Sequence, residues 1–129
     1  MSIESVIYDR ATGHAGLSAL ISTRFYPNVA PQGVTVPFVT YRRVSAVRPS
    51  AFGADAGVVE ARFQLDMYAT TYSGVRAVAE QVRAAFQRWT NSSGTVVYDC
   101  FIVSELESFD AEPALLHRAV TDILVHYAE

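Results

Sequence analysis

Apolar residues take every second position from Val59 to Ala69: Val59, Ala61, Phe63, Leu65, Met67 and Ala69. Glu60, Arg62, Gln64, Asp66 and Tyr68 stand between them. A period of two predicts a strand with one face in a core and the other toward water or a partner. The period then changes to three and four. Val75, Val78, Ala79, Val82, Phe86 and Trp89 mark one side of a helix, and Arg76, Glu80, Arg83 and Gln87 mark the other. Thr71 or Ser73 is placed to cap it, because a hydroxyl there accepts from a free backbone N–H. The stretch Val58–Trp89 is therefore a strand running into a helix, apolar face on apolar face.

The same reading extends to the rest of the chain. Ser2 caps a helical pattern over residues 3–22 that breaks near Gly13. Arg24–Tyr26 is a short edge strand, stopped by Pro27, and Pro27–Pro37 is a loop. Phe38–Val47 is a strand whose two faces are both mixed: Phe38 and Val44 with Arg42, Val39, Tyr41 and Val47 with Arg43. A strand of this kind calls for a second covering layer, such as another subunit. Arg48–Gly57 is rich in Gly, Ala, Pro and Ser and is too long for a tight turn, so it is expected to form an extended hairpin arm. Asn91–Gly94 is a polar turn. Val96–Glu107 is a strand in which Val96, Tyr98, Cys100, Ile102 and Leu106 share a face. Ser108–Pro113 is an acidic turn, and Leu115–Tyr127 is the last strand, with Ala119, Thr121, Ile123, Val125 and Tyr127 toward the core. The expected class is α+β: a mainly antiparallel sheet of about four to five strands, helices packed on one face, and a long hairpin arm.

Composition narrows the function. A chain of 129 residues, half of them apolar and 18% charged, is expected to form one domain with a substantial core. A formal charge of −3 argues against phosphate-backbone binding. All ten cations are Arg, which base composition of the gene accounts for; the functional reading is that Arg suits protein interfaces. The single Cys100 excludes an internal disulfide. No stretch has the length and apolarity of a membrane span.

Catalytic and metal-binding patterns are not evident. His117 and His126 lie on opposite faces of one strand, His14 is remote in sequence, and no spacing brings them to Cys100 or a carboxylate. Glu105, Glu107, Asp110 and Glu112 have the pattern of a solvated acidic run. Gly53 and Gly57 flank Asp55 without the Lys or the following helix of a phosphate loop. We therefore expect no cofactor and no metal. The one basic, aromatic concentration is Arg42, Arg43 and Arg48 with Tyr41 and Phe52, which suits a protein interface. The residues expected at a subunit or partner contact are Arg42, Arg43, Arg48, Phe52, Asp55, Glu60, Arg62 and Asp66, the arginines pairing with acids such as Glu60, Asp66 or those of Glu105–Glu112 on a neighbour.

Three stretches carry a family resemblance: Arg24–Ser45 (RFYPNVAPQGVTVPFVTYRRVS), Ala61–Phe86 (ARFQLDMYATTYSGVRAVAEQVRAAF) and His117–Tyr127 (HRAVTDILVHY). Tyr26–Pro27, Ala30–Pro31 and Pro37–Phe38–Val39–Thr40–Tyr41, followed by Asp66–Met67–Tyr68–Ala69 leading into the helix, stand in the order of the family's pattern. The chain resembles the tail-completion proteins (tail-terminator or head-tail joining proteins) of long-tailed bacteriophages and related prophage or gene-transfer particles. The resemblance implies a virion protein without enzymatic residues. It implies a ring, hexameric in the family, that caps the tail tube and meets the major tail tube protein on one side and the head-completion or connector protein on the other. The reading from a different class is a small α+β module that binds RNA or a small ligand. The lack of Lys and the acidic balance weigh against it.

Overall fold

The alternating stretch is the central strand of the sheet. The computed structural model describes residues 2–51, 53–55, 57–110 and 116–129. The elements are α1 (Ile3–Gly13), α2 (Ala15–Ile21), β1 (Phe25–Pro27), β2 (Phe38–Val47), β3 (Ser50–Ala51), β4 (Ala54–Asp55), β5 (Val58–Ala69), α3 (Tyr72–Phe86), β6 (Val97–Asp110) and β7 (Leu116–Ala128). Five strands form one sheet in the order β1-β2-β5-β7-β6. Every pairing in it is antiparallel except that of β1 with β2. The class is α+β, as the periodicities predict. The expected arm is seen as the β3–β4 hairpin, Ser50 opposite Asp55 and Ala51 opposite Ala54.

Val59, Ala61, Phe63, Leu65 and Met67 are fully buried, while the intervening residues of β5 are half-exposed. The buried side faces the helices. Val75, Val78, Val82, Ala85 and Phe86 of α3 join the same apolar cluster, with Ile3, Val6 and Ile7 of α1 and Leu17 and Ile21 of α2. Phe86 meets Trp89 edge-on, with ring centroids 5.6 Å apart. Thr71 caps α3, its hydroxyl accepting from the Gly74 N–H at 3.0 Å, and Ser2 caps α1 through the Ser5 N–H at 3.2 Å. The break in the first helical stretch lies at His14. Its N–H donates to the Arg10 carbonyl and closes α1, and its Nδ1 accepts from the Leu17 N–H and opens α2. Gly16 packs closely on α3: a Cβ there would displace the end of the Gln81 side chain. The edge strand β1 runs parallel to β2, and Phe25 stacks on Tyr41 at 4.7 Å.

Bulges account for the departures from the expected pattern. The β2–β5 ladder shifts register between Arg43 and Ser45, and the β6–β7 ladder shifts at Val97/Asp99 and Ile102/Ser104. One extra residue inverts the alternation beyond it. Val47 was expected beside Val39 and Tyr41; after the bulge at Val44 it lies on the open face opposite Glu60, and Ala46 takes the helix side. Tyr98 was expected beside Cys100. Instead it is the bulged, exposed residue, and Val97 and Cys100 are the buried pair. Beyond the bulge at Val103, Glu105 and Glu107 oppose the inward Thr121 and Ala119, so Leu106 is on the open face and not with Cys100. β6 also continues to Asp110, through the start of the expected acidic turn. The remainder of that turn, with Glu112, lies outside the described residues.

Replacing Phe63 or Phe86 by Ala is expected to cost about 3–5 kcal/mol, the usual loss for a fully buried aromatic. Denaturant unfolding reads it directly, and an unmoved midpoint would place these rings outside the core.

Candidate assembly interface

The face of the sheet turned away from the helices carries a polar grid on β5 and β7, with Val120 and Leu124 between its members and Phe38 stacked on Tyr68 beside it. Glu60 and His126 are direct cross-strand partners, with Oε2 and Nε2 3.1 Å apart. Arg62 donates from Nε and Nη2 to Oδ2 of Asp122, at 3.0 and 2.7 Å. Arg118 donates to Asp66 Oδ2 at 3.0 Å, and Gln64 Nε2 donates to the other oxygen of Asp66 at 2.9 Å. Arg42 donates to Gln64 Oε1 at 3.2 Å, which ties β2 into the same network. Each such half-exposed pair contributes at most about 1 kcal/mol. Their combined effect is a hydrated, charge-compensated face.

Most of the residues expected at a subunit contact thus have partners within the chain. Glu60, Arg62 and Asp66 pair on this face with His126, Asp122 and Arg118. Arg43 lies on the helix side, where its Nη2 reaches Glu4 and the Tyr127 hydroxyl, both at 3.1 Å, and its guanidinium lies over Phe63. Arg48 pairs with Glu129 at 2.6 Å. Among the described residues, Arg42 donates to the neutral Gln64. Phe52 and the side chain of Asp55 lie outside the described residues. The structure therefore joins Glu60, Arg62, Asp66 and Arg42 in one network and sets Arg43 and Arg48 apart from it. His126, Asp122 and Arg118 recur at four-residue steps on one strand face. That spacing marks them as a set, but only the β5–β7 register shows which charge each one meets.

The helix side carries a second charged surface. Arg76 of α3 bridges Glu80 at 3.2 Å and Glu107 of β6 at 3.0 Å. Next to it an open groove of about 790 Å³ runs between α3 and β6, lined by Arg83, Gln87, Val103 and Glu105 among others. The histidines do not converge. His14 is a helix cap, His117 packs against Tyr72 and Phe109, and His126 meets Glu60. Among the described residues, no group of three or more His, Cys, Asp or Glu is placed to hold a metal. No helix among them is long and apolar enough to cross a membrane.

Residues 5–127 match the family described as tail completion protein gp17. The chain belongs to this family. A member of the tail completion protein gp17 family is a structural tail protein, which favours the structural reading of the sequence over the RNA- or ligand-binding one. The fold is also that of a solved chain described as "Virion of native gene transfer agent (GTA) particle". The TM-score is 0.83 at 16% sequence identity, covering 99% of this chain and 96% of that one. No match is found among curated proteins.

Cys100 is fully buried, and its thiol pKa is pushed up to about 12, first by burial and then by the Asp99 carboxylate, with Arg10 acting in the opposite direction. Since the thiolate is the reactive form, native protein at pH 8 should be alkylated only as fast as it unfolds. The same shift makes stability fall as pH rises from the unfolded thiol's pKa, near 9, toward 12, because the unfolded chain releases the proton first. Rapid labelling of the native protein by iodoacetamide would contradict this burial.

Proposed function

We propose that this protein closes a tail tube as an oligomeric ring, hexameric in keeping with its family, at the tail–head junction of a virion. Made in the bacterial host's cytoplasm, it meets the major tail tube protein on one side of the ring and the head-completion or connector protein on the other. The observation that carries this reading is the family match over residues 5–127. The fold shared with a chain of a gene transfer agent virion supports a place in the particle.

The geometry suits a subunit that works through its surfaces. The grid of β5 and β7 compensates its own charges, so it stays hydrated and soluble until an incoming surface supplies matching groups. The β3–β4 hairpin projects from the end of the sheet where β2 passes to β5, and gives a small-residue arm able to reach a neighbour or the tube.

Assembly in a host lacking the gene, complemented from a plasmid, tests both statements. Full-length protein should give tails of uniform length joined to heads in electron micrographs. A variant with Ser50–Ala56 shortened to a tight turn should fold with an unchanged circular dichroism spectrum yet leave tails unjoined. Uniform, joined tails without any complementing protein would remove the capping role. Normal particles with the shortened variant would remove only the arm.

A further inference from the structure

Both outer edges of the sheet are open over stretches of similar length. β1 covers β2 only from Val39 to Tyr41, so the outer edge of Arg42–Val47 pairs with no strand among the described residues. On β6, the segment after α3 caps the near half. The Cys100 carbonyl accepts from the Arg88 N–H at 2.7 Å, and the Ile102 N–H donates to Gln87 Oε1 at 2.9 Å. Beyond Ile102, the outer edge of Val103–Phe109 has no such cap among the described residues. Open edges invite strand pairing, and proteins normally blunt them with charge or cover them. Here both carry exposed aliphatics: Val44 (50%) and Val47 (58%) on β2, Val103 (43%) and Leu106 (58%) on β6.

We infer that these two edges join between neighbouring copies of this chain, β2 of one subunit against β6 of the next. The inference rests on the ring reading and specifies its contact. The directions are correct: β2, β5, β7 and β6 alternate, so β2 and β6 run antiparallel and the sheet continues antiparallel from subunit to subunit. When sheets join side by side with their helices on the same side, like faces meet. On the helix side, Arg43 then approaches Glu105 and Glu107. Arg43 uses one terminal nitrogen for Glu4 and Tyr127, and its guanidinium retains further donors. Glu105 has no ion-pair partner among the described residues. With Arg43 opposite Glu107 and the bulge at Val44 kept, Leu106 lies opposite Ser45 on the open face and diagonal to Val47. Pairing an edge with its own kind would set Arg43 against Arg43 or Glu105 against Glu105, which like-charge repulsion disfavours. Two different patches in contact make a head-to-tail interface, the kind that closes into rings.

Cysteine cross-linking decides it, because the native Cys100 is buried. Ser45→Cys and Leu106→Cys are made separately and together, and the proteins are oxidised both free and on purified capped tails. The double variant should give a ladder ending at the ring. A mixture of the two single variants should give dimers, and neither single variant alone should dimerise. Glu105→Arg should weaken assembly by about tenfold, the order expected when a close interfacial charge pair is broken, and adding Arg43→Glu should restore it. Rings in electron micrographs without the Ser45–Leu106 cross-link would overturn the edge contact and leave the ring reading standing. Self-cross-linking of either single variant would overturn it in favour of a two-fold contact. Absence of both rings and cross-links on capped tails would overturn both readings.

Discussion

Burial of one face of β5 against α3 is the constraint on which the other elements depend. Five consecutive inward positions of β5 are fully buried, and the strand pairs along its whole length with β7 and along most of it with β2. A central strand with a partner on each side and a helix across one face is held by both of the main stabilising terms, apolar burial and a complete backbone ladder. Every other piece is placed relative to it. α1 and α2 fill the part of the same face that α3 leaves, with Gly16 allowing α2 to approach Gln81 of α3 closely. The second face carries the charged pairs, together with Phe38 stacked on Tyr68.

Those charges change what the arginines are for. A chain whose only cations are Arg invites the view that each waits for a partner protein. Within the fold, Arg62 and Arg118 serve the sheet, Arg76 ties α3 to β6, and Arg10 donates to the Ala85 carbonyl between helices. Internal compensation lets a polar sheet face remain uncovered without a large net field, and so avoids indiscriminate binding before assembly. The apolar material on the surface is concentrated elsewhere, at the edges and ends of the sheet.

Much of the architecture was legible in the sequence wherever a period ran uninterrupted. Val59–Ala69 and Val75–Phe86 carry clean periods of two and of three to four, and the caps at Ser2 and Thr71 are standard chemistry at helix starts. The errors cluster at the bulges. Val44, Tyr98 and Val103 are good strand formers, and nothing in their identity shows that each is the extra residue in its ladder. A bulge depends on the partner strand, so a single strand's pattern cannot reveal it, and everything beyond it is assigned to the wrong face. The interface residues had the same difficulty. Glu60, Arg62 and Asp66 were correctly placed on the outward face, but their partners His126, Asp122 and Arg118 are fixed by a register between strands far apart in the chain.

The β2–β5 and β6–β7 connections lie at opposite ends of the sheet. The β3–β4 hairpin lies where Val47 and Val58 meet Glu60 and Ala128, and the β6–β7 connection follows Asp110 and Leu116 at the end marked by Ala69 and His117. A cyclic arrangement of such subunits has two rims of unlike composition: one of small residues, the other of Phe109 and Tyr72 beside acids. An assembly with unlike rims has a direction. Copies of the ring cannot propagate by stacking rim on rim unless the two rims happen to fit each other.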